Sequence, residues 1–155
     1  MIAIVACDAD WGIGCGGHLQ HRISSDLRRF RALTRGKVVI YGRQTLDTFP
    51  GKKPLPDRIN LVLRTRKETG EPGCEYISSL DGLLQRLRAL KQEGYHDSDF
   101  IVIGGGMVYR QLLPYCDRVL VTRFDDSYDA DCWFPDLDSL PEWNLVSCGQ
   151  WLEEN

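Results

Sequence analysis

Apolar residues along this chain gather in short unbroken runs, and between the runs they recur at helical spacing. Residues 1–6, 38–41, 59–63 and 99–103 are runs of strand length with little internal alternation, as expected of strands buried on both faces. Residues 119–124 form a fifth run, Tyr76-Ile77 a shorter one, and residues 145–152 a last strand candidate. Between the runs, Leu27, Phe30 and Leu33 follow Ser24 and Ser25, which are N-cap candidates, and Gly36 closes that helix. Leu80, Leu83, Leu84, Leu87 and Leu90 mark one face of an amphipathic helix. Residues 107–113 read as helix up to Pro114, and a short helix begins near Arg43. Strands alternating with helices predict an α/β domain with a mostly parallel central sheet and flanking helices. In such sheets ligands bind beyond the carboxyl ends of the strands, and Ala6, Gly42, Arg64 and Gly104 all follow strands.

Glycine placement sharpens this picture. The run ending at Ile103 stops at Gly104-Gly105-Gly106, and a helical pattern resumes at once. Three residues without a Cβ let backbone approach a ligand closely. Residues 7–17 carry glycines at 12, 14, 16 and 17, with Trp11 and Ile13 as the apolar anchors. A loop of that length beside a buried strand is more often functional than idle.

Size and composition narrow the classes. The chain has 155 residues, enough for a single domain over 1–155 with a sizeable core. Net charge is −3 and the Lys and Arg residues are scattered, so nucleic acid is not an expected partner. No apolar run reaches membrane-spanning length, and a cytoplasmic location is expected. Cys7, Cys15, Cys74, Cys116, Cys132 and Cys148 lack metal-ligand or C-x-x-C spacing and read as separate reduced thiols. His18, His21 and His96 are too dispersed for a metal site, and none is expected.

Read together, the landmarks resemble the dihydrofolate reductase family. The resemblance rests on Ile2-Ala3-Ile4-Val5-Ala6, Gly12-Ile13-Gly14, Ser25-Asp26-Leu27-Arg28-Arg29-Phe30 and Gly42-Arg43-Gln44-Thr45. It continues through Pro54-Leu55-Pro56-Asp57-Arg58-Ile59-Asn60, residues 103–109 and Asp131-Cys132-Trp133-Phe134-Pro135. The order and close-to-family spacing of these segments carry the weight. The resemblance implies NADPH-dependent reduction of 7,8-dihydrofolate to tetrahydrofolate, with hydride delivered to pterin C6 and N5 protonated through water. It also implies a monomer whose partners are dihydrofolate and NADPH, with no membrane or nucleic acid involved.

Carried over residue by residue, Asp26 matches the acidic residue that orients the pterin ring through paired hydrogen bonds. Thr122 matches the strand residue that works with it, and His21 stands where the family's catalytic loop carries an aromatic side chain. Ile4, Val5, Ala6, Leu27, Phe30 and Leu55 are expected to line the substrate pocket, with Arg58 gripping the substrate's α-carboxylate. For the cofactor the resemblance points to Ala6, Ile13, Gly14, Gly42, Arg43, Gln44 and Thr45. Leu63, Arg64 and Thr65, with Arg66 beside them, match the region that recognises the 2′-phosphate. Ile103, Gly104, Gly105, Gly106, Met107, Val108 and Tyr109 complete the cofactor set, and Gly104-Gly105 resembles a pair joined by a cis peptide in this family.

The chain departs from the family pattern in three places. Gln20-His21 stands where the family carries Pro-Trp. The loop before the catalytic helix is unusually glycine-rich at Gly12, Gly14, Gly16 and Gly17, with Ser24 where the family has Pro. An antiparallel C-terminal strand is expected at residues 145–152, with the family's further strand expected to be missing. The alternative functions are a related pyrimidine or pterin reductase on the same fold, or a catalytically weakened folate-binding protein.

Overall fold

Residues of the first strand, β1 (Ile2–Cys7), alternate between half-buried and buried, so the strand presents two different faces. Ala3, Val5 and Cys7 turn to one side, and Ile2, Ile4 and Ala6 to the other. A computed structural model describes residues 1–15, 18–19, 24–64, 72–125 and 130–149. Within these residues β1 lies between β7 (Phe100–Gly104) and β8 (Arg118–Arg123), parallel to both. The sheet continues past β7 through β4 (Val38–Gly42), β5 (Ile59–Leu63) and β6 (Cys74–Ile77). The strand order is β6-β5-β4-β7-β1-β8, and every pairing is parallel. The carboxyl ends of all six strands therefore share one edge.

Two apolar layers cover the sheet. On one face Ala3, Val5, Cys7, Val38, Ile40, Leu61, Phe100 and Val102 meet Leu83, Leu87 and Leu90 of α3 (Leu80–Gln92) and Val108, Tyr109 and Leu112 of α4 (Gly106–Leu112). The leucine stripe read from the sequence is the buried face of α3, and Ser79 caps that helix by accepting a bond from the Gly82 N–H at 3.0 Å. The opposite face carries Val39, Tyr41, Leu46 and Val62, packed by Phe49, Leu55 and Ile103. Helix α1 (Ser24–Thr34) lies over this second face beside β1 and β8, and α2 (Arg43–Leu46) follows β4 directly.

Buried Asn60 ties the second face to the loop before β5. Its Oδ1 accepts from Tyr41 Oη at 2.8 Å and from the Leu55 N–H at 3.0 Å. Its Nδ2 donates to the carbonyls of Leu55 at 2.9 Å and Arg58 at 3.2 Å. Replacing Asn60 by Ala removes these bonds, leaving Tyr41 Oη with Cys74 Sγ at 3.7 Å and the Leu55 backbone without this partner. Unsatisfied buried groups cost about 1–3 kcal/mol each. Asn60→Ala is expected to lower unfolding stability by about 3 kcal/mol in urea titration.

The structure departs from the sequence expectations in two places. The glycine-rich segment after β1 is not all loop. Its residues form β2 (Gly12–Cys15), antiparallel to both β3 (His18–Leu19) and β9 (Cys132–Trp133). The buried Asp8 carboxylate makes this reversal, accepting from the N–H groups of Asp10 and Gly12 at 2.8 Å each. Glycine is depleted in strands generally, which hides such a strand from propensity. At the other end, residues 144–149 carry no strand, and Leu145 and Val146 are 80% and 94% exposed. The antiparallel pairing of the described residues thus lies in the small β3-β2-β9 sheet. Gly16, Gly17, Gln20, Asp126, Asp129 and residues 150–152 lie outside the described residues.

Candidate active site

At the carboxyl edge, β1 and β8 run in register, with Ala6 opposite Thr122 and Ile4 opposite Leu120. Thr122 therefore faces the same side as Ile4 and Ala6, toward α1. Its hydroxyl donates to Asp26 Oδ1 at 2.7 Å, and in turn accepts from Arg29 Nη1 at 3.2 Å. Asp26 and Arg29 are one helical turn apart, so both reach the same point on β8. The half-buried carboxylate is thus held by one oxygen, leaving acceptor capacity on the other. The spacing of Arg29 from Asp26 was the available signal for this residue, which the sequence reading passed over.

Phe30 is half-buried beyond Asp26 on α1, while Leu27 is 48% exposed. Val5 differs from the expectation. It is 3% exposed, and its side chain belongs to the core under α3 and α4, on the face opposite Ile4 and Ala6. Strand alternation separates it from its neighbours, so its side chain does not join them at this cleft. Leu55 packs beside Tyr41 and is held by Asn60 through its backbone.

Arg58 is anchored at the mouth of this face. Its Nε donates to Thr34 Oγ1 at 2.8 Å and its Nη1 to the Pro56 carbonyl at 2.7 Å. Thr34 is itself fully buried and donates to the Phe30 carbonyl at 2.8 Å, which links the arginine to α1. Burial, and after it the neighbouring Arg31 guanidinium, holds Arg58 below its ordinary pKa, with Asp57 acting in the opposite direction.

The second half of the edge is a bared backbone. The Gly104-Gly105 peptide is cis, and Gly104 has φ 140°. A Cβ built on Gly104 would lie 3.3 Å from Thr45 Oγ1, and one on Gly105 3.6 Å from the same atom. A Cβ on Gly42 would press on Val108 Cγ2 at 3.2 Å. Thus Gly42, Thr45, Gly104, Gly105 and Val108 converge where β4 and β7 end side by side. Gly106 has no room at all, because a Cβ there would collide with Cys132 Sγ. Ile13 approaches the same spot from β2, with Cδ1 3.9 Å from that built Cβ. Tyr109 is buried below the turn. Burial pushes its phenol above its usual pKa, and the neutral hydroxyl donates to the Ile4 carbonyl at 2.6 Å.

The remaining cofactor candidates spread outward from this turn. Arg43 pairs with Asp47, and Gln44 is exposed. Leu63 and Arg64 are half-buried at the end of β5, with the Arg64 guanidinium 5.1 Å from the Tyr76 ring centroid. Ile103 and Gly14 are half-buried, whereas Met107 is 82% exposed and points away from the turn. His21, Thr65 and Arg66 lie outside the described residues.

The Thr122–Asp26 pair and the Gly42/Gly104–Gly105 turn thus lie along the same carboxyl edge of the sheet. Known proteins are similar to this chain in sequence. The family model for Dihydrofolate reductase matches residues 1–154. Dihydrofolate reductase of Bacillus subtilis (strain 168) is 33% identical over 147 residues, covering 95% of this chain and 82% of the relative. That of Mycobacterium leprae (strain TN) is 36% identical over 144 residues, covering 90% and 81%. Dihydrofolate reductase type 3 of Salmonella typhimurium is 34% identical over 128 residues, covering 83% and 74%. The chain belongs to the dihydrofolate reductase family, whose oxidoreductase reaction, the reduction of dihydrofolate to tetrahydrofolate, is its activity.

Proposed function

We propose that NADPH is the reductant, that it lies along the Gly42–Thr45 and Gly104–Gly106 wall, and that Asp26 orients the pterin in the adjoining cleft. The observation that carries this reading is the Thr122–Asp26 hydrogen bond beside a backbone stripped of side chains at Gly104 and Gly105. The residues present fit a dinucleotide. Gly104 and Gly105 leave backbone close to the Thr45 hydroxyl, and Arg43 and Arg64 follow the neighbouring strands β4 and β5. Arg64, with Thr65 next to it, suits a 2′-phosphate better than a free ribose hydroxyl. When bound, NADPH supplies the hydride.

The protein's own part is to align, to hold charge and to exclude water. Asp26 accepts the paired N–H groups at the pterin edge with its two oxygens, Oδ1 keeping a lone pair beyond the one Thr122 uses, which fixes the ring's rotation. Water is the proposed carrier of the proton to N5, with the carboxylate holding the charge that favours the transfer. Ile4, Ala6, Leu27, Phe30 and Leu55 form the apolar walls, and Arg58 takes the α-carboxylate with the N–H donors not bound to Thr34 and Pro56. His21, which lies outside the described residues, is assigned a catalytic role from its place in the sequence, where the family carries an aromatic residue. We place the enzyme in the cytoplasm as a monomer, acting on small molecules without nucleic acid or membrane. Among the described residues, no helix is long and apolar enough to cross a membrane.

The test is loss of NADPH absorbance on adding dihydrofolate. Turnover with NADPH and at least about tenfold lower kcat/KM with NADH is expected, since the arginine's phosphate contact is worth more than 1.4 kcal/mol. Turnover only with a pyrimidine amine would move the chain to the related reductases. Tight binding of folate without turnover would make it a binding protein.

A further inference from the structure

Arg123 is the residue after Thr122 on β8, and strand alternation turns it to the opposite face of the sheet, level with Cys7. Its guanidinium carbon sits 4.3 Å from the Trp11 ring centroid. Besides this ring the guanidinium meets the Cys7 thiol and the distant Asp138 carboxylate, at 3.7 Å and 71% exposed. The Arg123 Nε is buried without a hydrogen-bond partner among the described residues, a tolerated loss where the ring supplies the attraction. The same guanidinium counters the burial that pushes the Cys7 thiol up to about 11.

Trp11 is an unusual residue for its backbone. It has φ 67°, the left-handed region that a bulky side chain seldom occupies. Three contacts hold it there: its N–H bonds the Asp8 carbonyl at 3.2 Å, its carbonyl accepts from the Phe134 N–H at 2.8 Å, and its ring stacks on Phe134 with centroids 6.1 Å apart. Directly after this corner the chain enters β2, which brings Ile13 over Gly106. Phe134 also meets Tyr109 edge-on at 4.9 Å. The indole is thus clamped between a cation from β8 and an aromatic ring from the segment after β9.

We propose that Arg123 is a positioning residue for cofactor binding: by clamping Trp11 it fixes the left-handed corner that aims β2 and Ile13 at the Gly104–Gly106 turn. Arg123 touches neither substrate nor cofactor and acts through Trp11. The inference rests on the reading of that turn as the cofactor wall. It predicts an asymmetric defect, because Thr122 and Asp26 lie on the other face of the sheet.

The experiment measures NADPH affinity by equilibrium titration of intrinsic tryptophan fluorescence, and KM for dihydrofolate by steady-state kinetics. Arg123→Met keeps the aliphatic stem but loses the planar cation, and NADPH binding is expected to weaken about tenfold. Arg123→Lys keeps the charge without the flat face, and a loss of about threefold is expected. KM for dihydrofolate should stay within about twofold in both, and Arg118→Met at the far end of the same strand should match the unaltered protein. If Arg123→Met does not fold, the lysine variant carries the same split. Unchanged NADPH affinity, or equal losses for both ligands, overturns the proposal. Absence of NADPH binding by the unaltered protein would overturn the cofactor reading itself, whereas normal binding in both and in Arg123→Met would overturn only the role of Arg123.

Discussion

Asp26→Asn is expected to lower turnover at neutral pH by at least about 100-fold, an effect near 2.7 kcal/mol on the barrier. The substitution keeps size and shape, and the Oδ1 atom can still accept from Thr122, which lies 2.7 Å away in the native site. The fold should therefore survive, and the thermal midpoint by circular dichroism should move by no more than a few degrees. What is lost is the second acceptor and the negative charge. An amide presents a donor where the pterin edge also presents donors, so the ring is repelled rather than gripped. Turnover within about threefold of the native rate would remove Asp26 from the mechanism.

The second large effect is at Arg58. Arg58→Leu is expected to raise KM for dihydrofolate by about 30- to 100-fold, the range that follows from losing charge-assisted hydrogen bonds of about 2–3 kcal/mol. Turnover at saturation should fall much less, because the carboxylate that Arg58 is proposed to grip lies far from the reacting atoms and would be bound equally in ground and transition states. Thr34 keeps its bond to the Phe30 carbonyl in the variant, so α1 should remain anchored. Arg58→Lys should rescue little, since an ammonium group cannot bond Thr34 and Pro56 while presenting a flat fork outward. A reduced pterin lacking the glutamate tail supplies the control. If Arg58→Leu handles that compound and dihydrofolate with the same relative loss, the arginine does not bind the tail.

Most of the framework was legible in the sequence because it depends on unbroken apolar runs and on period. The runs ending at Tyr41, Leu63 and Ile103 appear as β4, β5 and β7, and the leucine stripe appears as α3. Features that depend on distant partners were less visible. The Gly12–Cys15 strand exists because Asp8 folds the chain back and Cys132–Trp133 arrives from far along the sequence to pair with it. Grouping Val5 with Ile4 and Ala6 ignored the two-residue alternation of a strand whose faces serve different purposes. Asn60 and Arg29 act by holding other residues, and residue type alone does not announce that role. The Arg123–Trp11 contact joins residues 112 positions apart, beyond the reach of any local pattern.

The placement of β1 between β7 and β8 has a consequence for how the molecule is made. Ile2–Cys7 is a sticky ribbon whose two flanking neighbours, Phe100–Gly104 and Arg118–Arg123, are encoded far downstream of it. During synthesis Ile2–Cys7 must wait until residues up to 104 have emerged before one of its edges can be zipped, and until residue 123 for the other. Until then it is a natural target for chaperones, and mutations that slow its late docking should reduce soluble yield in cells more than they reduce the stability of the finished enzyme.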